Sequence, residues 1–210
     1  MKRACWYFDF ISPFAYLALS RVERLVPSSQ IDLCPVLFAG LLGHWGQKGP
    51  AEIEPKRLWT YRWCTWLASQ QGVPLTFPAA HPFNPLPYLR LAVAAHATPQ
   101  AVRTIFEALW TTGVDPSDPG VVTALAHHLN VDPAHLASSH VKDALRIQTD
   151  QAAQRGVFGV PTLTIDGELF WGVDGMALAE AFWVRPEVLS TKDMQRASAL
   201  PVGVARRLRD

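Results

Sequence analysis

The 210-residue chain has 49% hydrophobic residues, enough for a sizeable core, and this excludes a disordered protein. Its 19 basic and 18 acidic residues leave a formal charge of +1, and the one marked basic stretch is Arg206-Arg207-Leu208-Arg209, so we expect no nucleic-acid partner. No apolar run reaches the length of a membrane span, and the N-terminus lacks a signal peptide's apolar region, so we expect a cytoplasmic protein without membrane contact.

The cysteines and histidines do not indicate a redox pair or a metal site. The three cysteines, Cys5, Cys34 and Cys64, lie far apart and form no C-x-x-C pair. An odd count in a reducing compartment predicts free buried thiols, and Cys5 and Cys34 fall in predicted strands. Four histidines lie near one another without a Cys or carboxylate at a metal-binding spacing, so we expect no metal: His127, His128, His135 and His140.

The N-terminal part predicts a β-α-β unit. Residues 3–9 form an apolar run typical of a buried strand, 13–27 have helical spacing, and 30–37 predict a second strand. Pro13 suits the first position of a helix, and Ser12 suits its N-cap. Ser12 is therefore either only a helix cap or a hydroxyl at the sheet end where α/β proteins bind ligands.

A long helical segment follows. Residues 39–50 are rich in glycine and predict a loop, and the proline-rich residues 72–87 predict extended chain. The remaining pattern is helical, with prolines near the starts of three helices. The predicted helices cover 55–71, 87–97, 99–112, 118–129, 133–138 and 139–155.

The C-terminal part returns to strands. Residues 161–165 and 168–171 predict two strands joined by a hairpin turn at Asp166-Gly167, and a helix is expected over 176–183. Beyond residue 185 we expect at most one more helix. The plan is an α/β domain of residues 1–38 and 157–210, interrupted by a helical insertion domain of residues 39–156.

This β-α-β…β-β-α order resembles the thioredoxin fold. Three motifs support the resemblance: Ser12-Pro13-Phe14 after the first strand, Gly159-Val160-Pro161-Thr162 where the fold has a cis-proline loop, and Trp171-Gly172-Val173-Asp174 after the hairpin. With F-D-F-x-S-P-F-x-Y-L over 8–17 and the helical insertion, the chain resembles the DsbA-like family of kappa-class glutathione transferases and bacterial 2-hydroxychromene-2-carboxylate isomerases. Residues 83–91 resemble the isomerases more.

The resemblance implies a glutathione site. The catalytic serine of the family matches Ser12, the residues that hold the glutathione peptide match Phe14 and Gln47, and the residue whose backbone pairs with the cysteinyl part matches Val160, before Pro161. The pair that binds the γ-glutamyl end matches Val173 and Asp174. The chain departs from the family at Gln47, where Asn is frequent, at Val173, which lacks a polar side chain, and at Gly175, where Arg often follows.

Substrate contacts are expected from the insertion. Lys48 and Lys56 are suited to a carboxylate, although a solvated surface charge is the simpler interpretation of each. Asn84 before Pro85 is also explained as a turn residue. The full set of substrate candidates is Trp45, Lys48, Lys56, Asn84 and Pro85.

The implied chemistry is activation of a bound thiol. The Ser12 hydroxyl and the N-terminus of the first helix would lower the pKa of the glutathione thiol, and the thiolate would add reversibly to a conjugated enone. Ser12 stands where a disulfide oxidoreductase needs cysteine, so thiol–disulfide exchange is not expected. The first hypothesis is a glutathione-dependent cis-trans isomerase of aromatic-compound degradation. A kappa-like glutathione transferase and a non-catalytic thioredoxin-fold binding protein stay open, and the resemblance makes a homodimer plausible.

Overall fold

The fold is built on a mixed sheet. The computed structural model describes residues 2–27 and 30–204. Strands β1 (Ala4–Phe8), β2 (Ile31–Pro35), β3 (Thr162–Ile165) and β4 (Glu168–Trp171) form it in the order β2-β1-β3-β4. β1 pairs parallel with β2 and antiparallel with β3, and β3 pairs antiparallel with β4. This topology confirms the expected β-α-β…β-β-α plan.

The helices follow the predicted order, and most bounds agree to within a few residues. Prolines occupy the first turn of α1, α5 and α6, and side chains of Ser12, Thr98 and Asp118 cap them. In the described residues the α-helices are α1 (Pro13–Leu25), α2 (Phe38–Trp45), α3 (Glu54–Gln71), α4 (Leu86–Ala94), α5 (Pro99–Thr111), α6 (Pro119–His128), α7 (Ser139–Gln154), α8 (Gly172–Val184) and α9 (Lys192–Ser198).

The predicted loop over 39–50 was wrong, because residues 38–45 form α2. Two of its glycines do not prevent a helix, since Leu41 is buried and anchors it. Gly40 allows close packing on α7, where an added Cβ would lie 3.0 Å from Thr149 Cγ2. The Thr149 hydroxyl accepts the N–H of Leu37 at 3.0 Å and donates to Leu145 O at 2.9 Å. Helix α7 of the insertion therefore fixes the start of α2.

Smaller differences concern two other helices. The predicted helix over 133–138 is a 3₁₀ turn at Pro133–Ala137, capped by Asp132. The last predicted helix begins at Gly172 rather than at Met176, because Gly172 takes a positive φ of 77° and the chain turns into the helix there. A 3₁₀ turn at Pro186–Ser190 and helix α9 follow it.

The expectation of free thiols was wrong for two of the three cysteines. Cys5 on β1 and Cys34 on β2 form a disulfide between neighbouring parallel strands. Register explains the pairing, since Cys5 lies opposite Asp32 and Cys34 lies opposite Tyr7, which makes the two cysteines diagonal neighbours. Cys64 is free and buried, as expected, and burial raises the pKa of its thiol to about 12.

The hydrophobic core joins the sheet to the insertion. Phe106 of α5 packs against Phe8 and Phe10, with ring centroids 5.6 and 4.6 Å apart, and the Trp110 indole donates to Phe10 O at 2.9 Å. These rings are fully buried, and each contributes roughly 1.5–3 kcal/mol through burial. Because one cluster spans both parts, the division at residues 38/39 and 156/157 stays a prediction.

Three expectations from the sequence concern membrane contact, metal binding and the basic C-terminal stretch. None of the described helices combines the length and the apolar character that crossing a membrane requires. Within residues 2–27 and 30–204, no three His, Cys, Asp or Glu side chains come together as a metal-ion cluster. The basic stretch over 206–209 lies outside the described residues.

Candidate functional site

A cavity of about 500 Å³ opens at the carboxyl end of β1, within the usual range for ligand pockets. One side of it is formed by the start of α1, the segment before β3 and the end of β4. The other side is formed by α2, the start of α3 and residues 81–85 of the insertion. The cavity therefore lies where the sheet and the insertion meet, at the end of the sheet where α/β folds bind ligands.

Ser12 lies at the inner end of this cavity and caps α1. Its backbone is extended, with φ −92° and ψ 112°, and its Oγ accepts the N–H of Ala15 at 3.2 Å. The hydroxyl hydrogen is not used by this bond, so Ser12 can donate to a ligand atom in the cavity. The N-terminus of α1 adds a positive potential at the same point.

Asp9 lies beneath Ser12 and lines the cavity floor. Its carboxylate accepts the N–H of Ile11 at 3.1 Å and of Phe38 at 2.8 Å, and its carbonyl oxygen accepts the N–H of Ser12 at 3.0 Å. Burial raises the pKa of Asp9 to about 7, although the hydrogen bonds from these N–H groups lower it. Asp9 thus joins the Ser12 turn to the start of α2.

The segment before β3 presents main-chain groups to the cavity. The Val160–Pro161 peptide bond is cis, as the resemblance predicts, and Val160 lines the cavity. Neither the N–H nor the C=O of Val160 has a hydrogen-bond partner in the part of the chain that the structure describes. The two groups are therefore available to a peptide that lies along Val160.

Trp171 closes the sheet side of the cavity. It is the last residue of β4, pairs with Thr162, and lines the cavity with 54% of its surface exposed. Its ring centroid lies 5.2 Å from that of Phe158. The indole rests on Gly159, where an added Cβ would lie 2.6 Å from Trp171 Nε1. Gly159 is thus the residue that lets this ring approach the cis-proline loop.

The α2–α3 side of the cavity has a positive character. Gln47 and three cations line it, namely Lys48, Lys56 and Arg57. The acid on this side, Glu52, accepts the N–H of Gly49, and the Arg57 guanidinium donates to Ala51 O at 3.3 Å. Lys48 and Lys56 are exposed and form no ion pair among the described residues. This side is suited to an anionic ligand group.

His81 links the two sides of the cavity. Its Nε2 donates to Ile11 O at 2.8 Å, and the Tyr61 hydroxyl lies 2.7 Å from both its Nδ1 and its carbonyl oxygen. Burial, and secondarily the positive charge of Arg57, lower the pKa of His81, while the bond to Ile11 raises it. Burial raises the pKa of the Tyr61 hydroxyl. Both groups are therefore neutral near pH 7.

The cavity brings together only part of the residues expected from the sequence. Ser12, Phe14, Gln47, Lys48, Lys56, Pro85 and Val160 line it, and Pro161 adjoins it. Trp45 does not line it, because its indole donates to Val157 O at 2.9 Å. Asn84 does not either, because its side chain accepts the N–H of Leu86 at 3.1 Å and fixes a turn.

The two residues matched to the γ-glutamyl site also lie off the cavity wall. Val173 is buried in the hydrophobic core, and Asp174 is exposed in the first turn of α8. Their main chain follows Trp171 directly, and the N–H of Gly172 donates to Pro161 O at 2.8 Å. The start of α8 is therefore adjacent to the cis-proline loop, although neither side chain reaches the cavity.

The cavity residues that were missed from the sequence include Asp9, Tyr61, His81 and Trp171. Asp9 had a signal, since it is a charged residue within the apolar run 4–10. Trp171 belongs to a motif that the sequence singled out, but nothing there gave its contact with Gly159. The Tyr61–His81 pair spans 20 residues and has no local pattern.

A family model described as "DSBA-like thioredoxin domain" matches residues 5–204. The 2-hydroxychromene-2-carboxylate isomerase of Sphingobium xenophagum is 32% identical over 192 residues, which cover 86% of this chain and 97% of that protein. Glutathione S-transferase kappa 2 of Caenorhabditis elegans is 25% identical over 178 residues. This match covers 76% of this chain and 79% of that protein.

A solved structure of a 2-hydroxychromene-2-carboxylate isomerase superposes with a TM-score of 0.76 and 26% identity. The match covers 94% of this chain and 99% of that one. The fold agrees with these matches over nearly the whole length of the chain. The chain belongs to the DSBA-like thioredoxin-domain family, in the group that contains the 2-hydroxychromene-2-carboxylate isomerases and the kappa-class glutathione transferases.

Proposed function

We propose that the protein is a glutathione-dependent cis-trans isomerase of the 2-hydroxychromene-2-carboxylate isomerase type, which acts on an intermediate of aromatic-compound degradation. One observation carries the proposal. The Ser12 hydroxyl, with its hydrogen unused at the N-terminus of α1, lies in the same cavity as the unpaired main chain of Val160. A relative of that name, 32% identical over most of the chain, supports it.

The sheet side of the cavity fits glutathione. A tripeptide needs main-chain partners, and the N–H and C=O of Val160 supply one donor and one acceptor. The cysteinyl sulfur of a peptide paired there would lie toward Ser12, across the floor formed by Asp9. Phe14 offers an apolar contact beside it, and Gln47 offers an amide from the opposite side.

Bound glutathione would supply a thiolate that adds reversibly to the conjugated double bond of the substrate, so that the bond can rotate. Ser12 donates its O–H to the sulfur and thereby stabilises the ionised form. The N-terminus of α1 adds roughly 0.3–1 kcal/mol at an exposed position and more where water is excluded. Asp9 holds Ser12 in place, because its carbonyl oxygen accepts the N–H of Ser12. The buried Cys64 thiol takes no part, because burial keeps it protonated.

The insertion side of the cavity fits the substrate. Lys48, Lys56 and Arg57 provide positive charge for a carboxylate at the outer end, while Pro85 and Phe83 give apolar contact for a ring. Tyr61 and His81 line this side as neutral groups that are hydrogen-bonded to each other and to Ile11 O, so they shape the wall without adding charge. The cavity thus combines an apolar wall with a cationic mouth, as a small aromatic acid requires.

A second candidate is a kappa-like glutathione transferase, which the similarity to a kappa-class relative favours. Both activities need the same thiol activation by Ser12. They differ in whether the adduct reverts or is released, and this depends on the substrate. Glutathione consumption therefore separates them.

The proposal includes a homodimer. Trp59, Trp63 and Trp66 stack along α3 with ring centroids 5.6 and 5.0 Å apart, and Trp59 and Trp66 are 59% and 52% exposed. An apolar face of this kind is suited to pack against a second copy of the chain. Sedimentation at micromolar concentration tests this, and a monomer throughout would contradict it.

A glutathione titration tests the proposed function. Calorimetry measures binding, and ultraviolet difference spectra of the thiolate absorption measure ionisation of the bound thiol near neutral pH. We expect binding with a thiolate signal, and turnover of 2-hydroxychromene-2-carboxylate without loss of glutathione. Turnover that consumes glutathione would favour the transferase. Absence of binding at millimolar glutathione would favour a non-catalytic thioredoxin-fold protein.

A further inference from the structure

A second cavity of about 440 Å³ lies between α7 and the strands β1 and β2, within the usual range for small-ligand pockets. Its lining residues are different from those of the cavity described above. We call it the α7 groove. It is lined by Tyr7, Asp32 and Cys34 on the strand side and by Gln148, Gln151 and Arg155 on the helix side.

The Cys5–Cys34 disulfide meets this groove at one of its two sulfurs. Cys34 lines the groove and Cys5 does not, although both residues are half-buried. Strand β2 lies at the edge of the described sheet, so the side of Cys34 that points away from Cys5 faces no further strand. The corresponding side of Cys5 faces β3, where Thr164 lies opposite.

This arrangement selects the sulfur that a thiol can reach. A thiolate attacks a disulfide along the line of the S–S bond, from the side opposite the sulfur that leaves. Attack on Cys34 comes from the open edge of the sheet, where the α7 groove lies. Attack on Cys5 would have to come across β3. Cys34 is therefore the sulfur open to attack, and Cys5 is the one that leaves.

The α7 groove carries partners for a zwitterionic peptide. Arg155 is exposed and donates to the Tyr7 hydroxyl at 3.0 Å, and Asp32 is also exposed. Neither forms an ion pair within residues 2–27 and 30–204. Arg155 attracts a carboxylate and Asp32 an ammonium, while the amides of Gln148 and Gln151 suit peptide groups. Glutathione has all of these groups together with a thiol.

We propose that the α7 groove is a thiol-exchange site, in which glutathione forms a mixed disulfide with Cys34. Ser12 cannot carry out such an exchange, so this chemistry takes place outside the cavity that holds Ser12. The inference goes beyond the function proposed above and does not depend on it, because the two cavities are lined by different residues.

The step needs no reagent besides glutathione. The thiolate sulfur of glutathione forms a bond to Cys34 Sγ, and the bond between Cys34 and Cys5 breaks. The electron pair of that bond stays on Cys5 Sγ, which takes up the proton that the glutathione thiol released. The disulfide of the protein is itself the oxidised partner, so no other oxidant is required.

Peptide mapping of the wild-type protein tests which sulfur reacts. Intact mass first verifies the disulfide in air-oxidised protein, and its absence would overturn the inference. The protein then reacts briefly with glutathione, and N-ethylmaleimide stops the reaction. We expect the glutathionyl group on Cys34 and the maleimide on Cys5, while the buried Cys64 stays unmodified. A glutathionyl group on Cys5, or a disulfide that does not react, would overturn the inference.

Two single variants test access to each sulfur separately. Cys5→Ser and Cys34→Ser both lose the disulfide, so each is the matched control of the other for stability. Oxidised glutathione is the probe, and the rate of mixed-disulfide formation is measured by mass spectrometry. Cys34 in the first variant should react at least about tenfold faster than Cys5 in the second, because reactivity follows access. Equal rates would contradict the selection of Cys34.

Arg155→Gln tests recognition of the peptide. It should slow the reaction of the disulfide with glutathione about two- to fivefold at low salt, the size of an exposed charge pair, and leave the reaction with uncharged 2-mercaptoethanol unchanged. Lys142→Gln is the control, since Lys142 is an exposed cation on α7 that does not line the groove. An equal change for both thiols, or none for either, would show that the groove does not recognise glutathione and would overturn the inference.

Discussion

The two sides of the cavity differ in the groups that they present to a ligand and in how firmly those groups are held. The sheet side consists of Ser12, the main chain of Val160 and the ring of Trp171, held by backbone hydrogen bonds and close packing. The insertion side presents long exposed side chains, such as Lys48 in the loop after α2 and Lys56 in the first turn of α3. A rigid side suits a cofactor that is the same in every turnover, and an adaptable side suits a substrate. Four changes test this division.

The largest effect is expected for Ser12→Ala, on the sheet side. Losing the O–H that stabilises the thiolate should lower kcat/KM at least about 100-fold, the size seen when one preorganised donor is removed. The thiolate absorbance of bound glutathione should fall at neutral pH. Loss of the cap should also lower the free energy of unfolding by about 1 kcal/mol.

Ser138→Ala is the matched control, because Ser138 caps α7 in the same way, accepting the N–H of Val141 at 3.3 Å, and does not line the cavity. It should cost similar stability and leave activity unchanged. Equal activity of the two variants would mean that Ser12 is only a helix cap.

Asp9→Asn probes the floor that joins the two sides. The pKa of Asp9 is raised to about 7, so the folded state holds a proton that the unfolded state releases near pH 4. Stability from this group is therefore lost as pH rises from about 4 toward 7. Between pH 5 and 7 the wild type should lose about 1–2 kcal/mol of unfolding free energy that Asp9→Asn does not lose.

Urea unfolding of both proteins from pH 5 to 7.5 measures this difference. Contributions from other groups, including His81, cancel in the comparison because they are common to both proteins. A stability gap that stays constant with pH would contradict the prediction.

Lys56→Gln and Lys48→Gln probe the insertion side. Each should raise KM for a carboxylate substrate about two- to fivefold at low salt, the size of an exposed charge pair, with little change in kcat. The effect should shrink at high salt. Arg62→Gln on α3 is the control, since Arg62 is an exposed cation outside the cavity. An equal change in the control would assign the effect to the net charge of the protein.

The smallest effect is expected for Gly159→Ala. The new Cβ would lie 2.6 Å from Trp171 Nε1, so the exposed indole must move away. Glutathione should bind about twofold more weakly by calorimetry, and the fold should be kept because the side chain can swing into solvent. Gly43→Ala, where a Cβ meets nothing within 4 Å, is the control. Unchanged affinity in Gly159→Ala would mean that the position of the indole is unimportant.

The sequence predicted those features of the sheet side that depend on local signals. Ser12-Pro13 and Val160-Pro161 are local signals, since a cap and a proline after a strand act over a few residues. The strands and their order also follow from local pattern and topology rules. Ser12 and Val160, which the sequence singled out, both line the cavity.

The insertion side depends on distant contacts. Trp45 donates to Val157, 112 residues away, and His81 bonds Ile11, 70 residues away. No local pattern encodes such partners. The disulfide escaped prediction for the same reason, because it depends on the register of β1 against β2. Helix α2 also escaped prediction, because buried Leu41 and a contact with α7 stabilise it despite its glycines.

The Thr149 hydroxyl has a consequence for how this chain tolerates insertions and deletions. It accepts the N–H of Leu37, at the start of α2, and it lies on α7, the helix that leads into β3. One residue added within α7 after Thr149, before its end at Gln154, rotates the hydroxyl by about 100° relative to the segment that leads into β3 and removes it from Leu37. Residues added in the turn over 129–138 leave it in place. Length variation among related chains should therefore occur in the turn before α7 and be absent between Thr149 and Gln154.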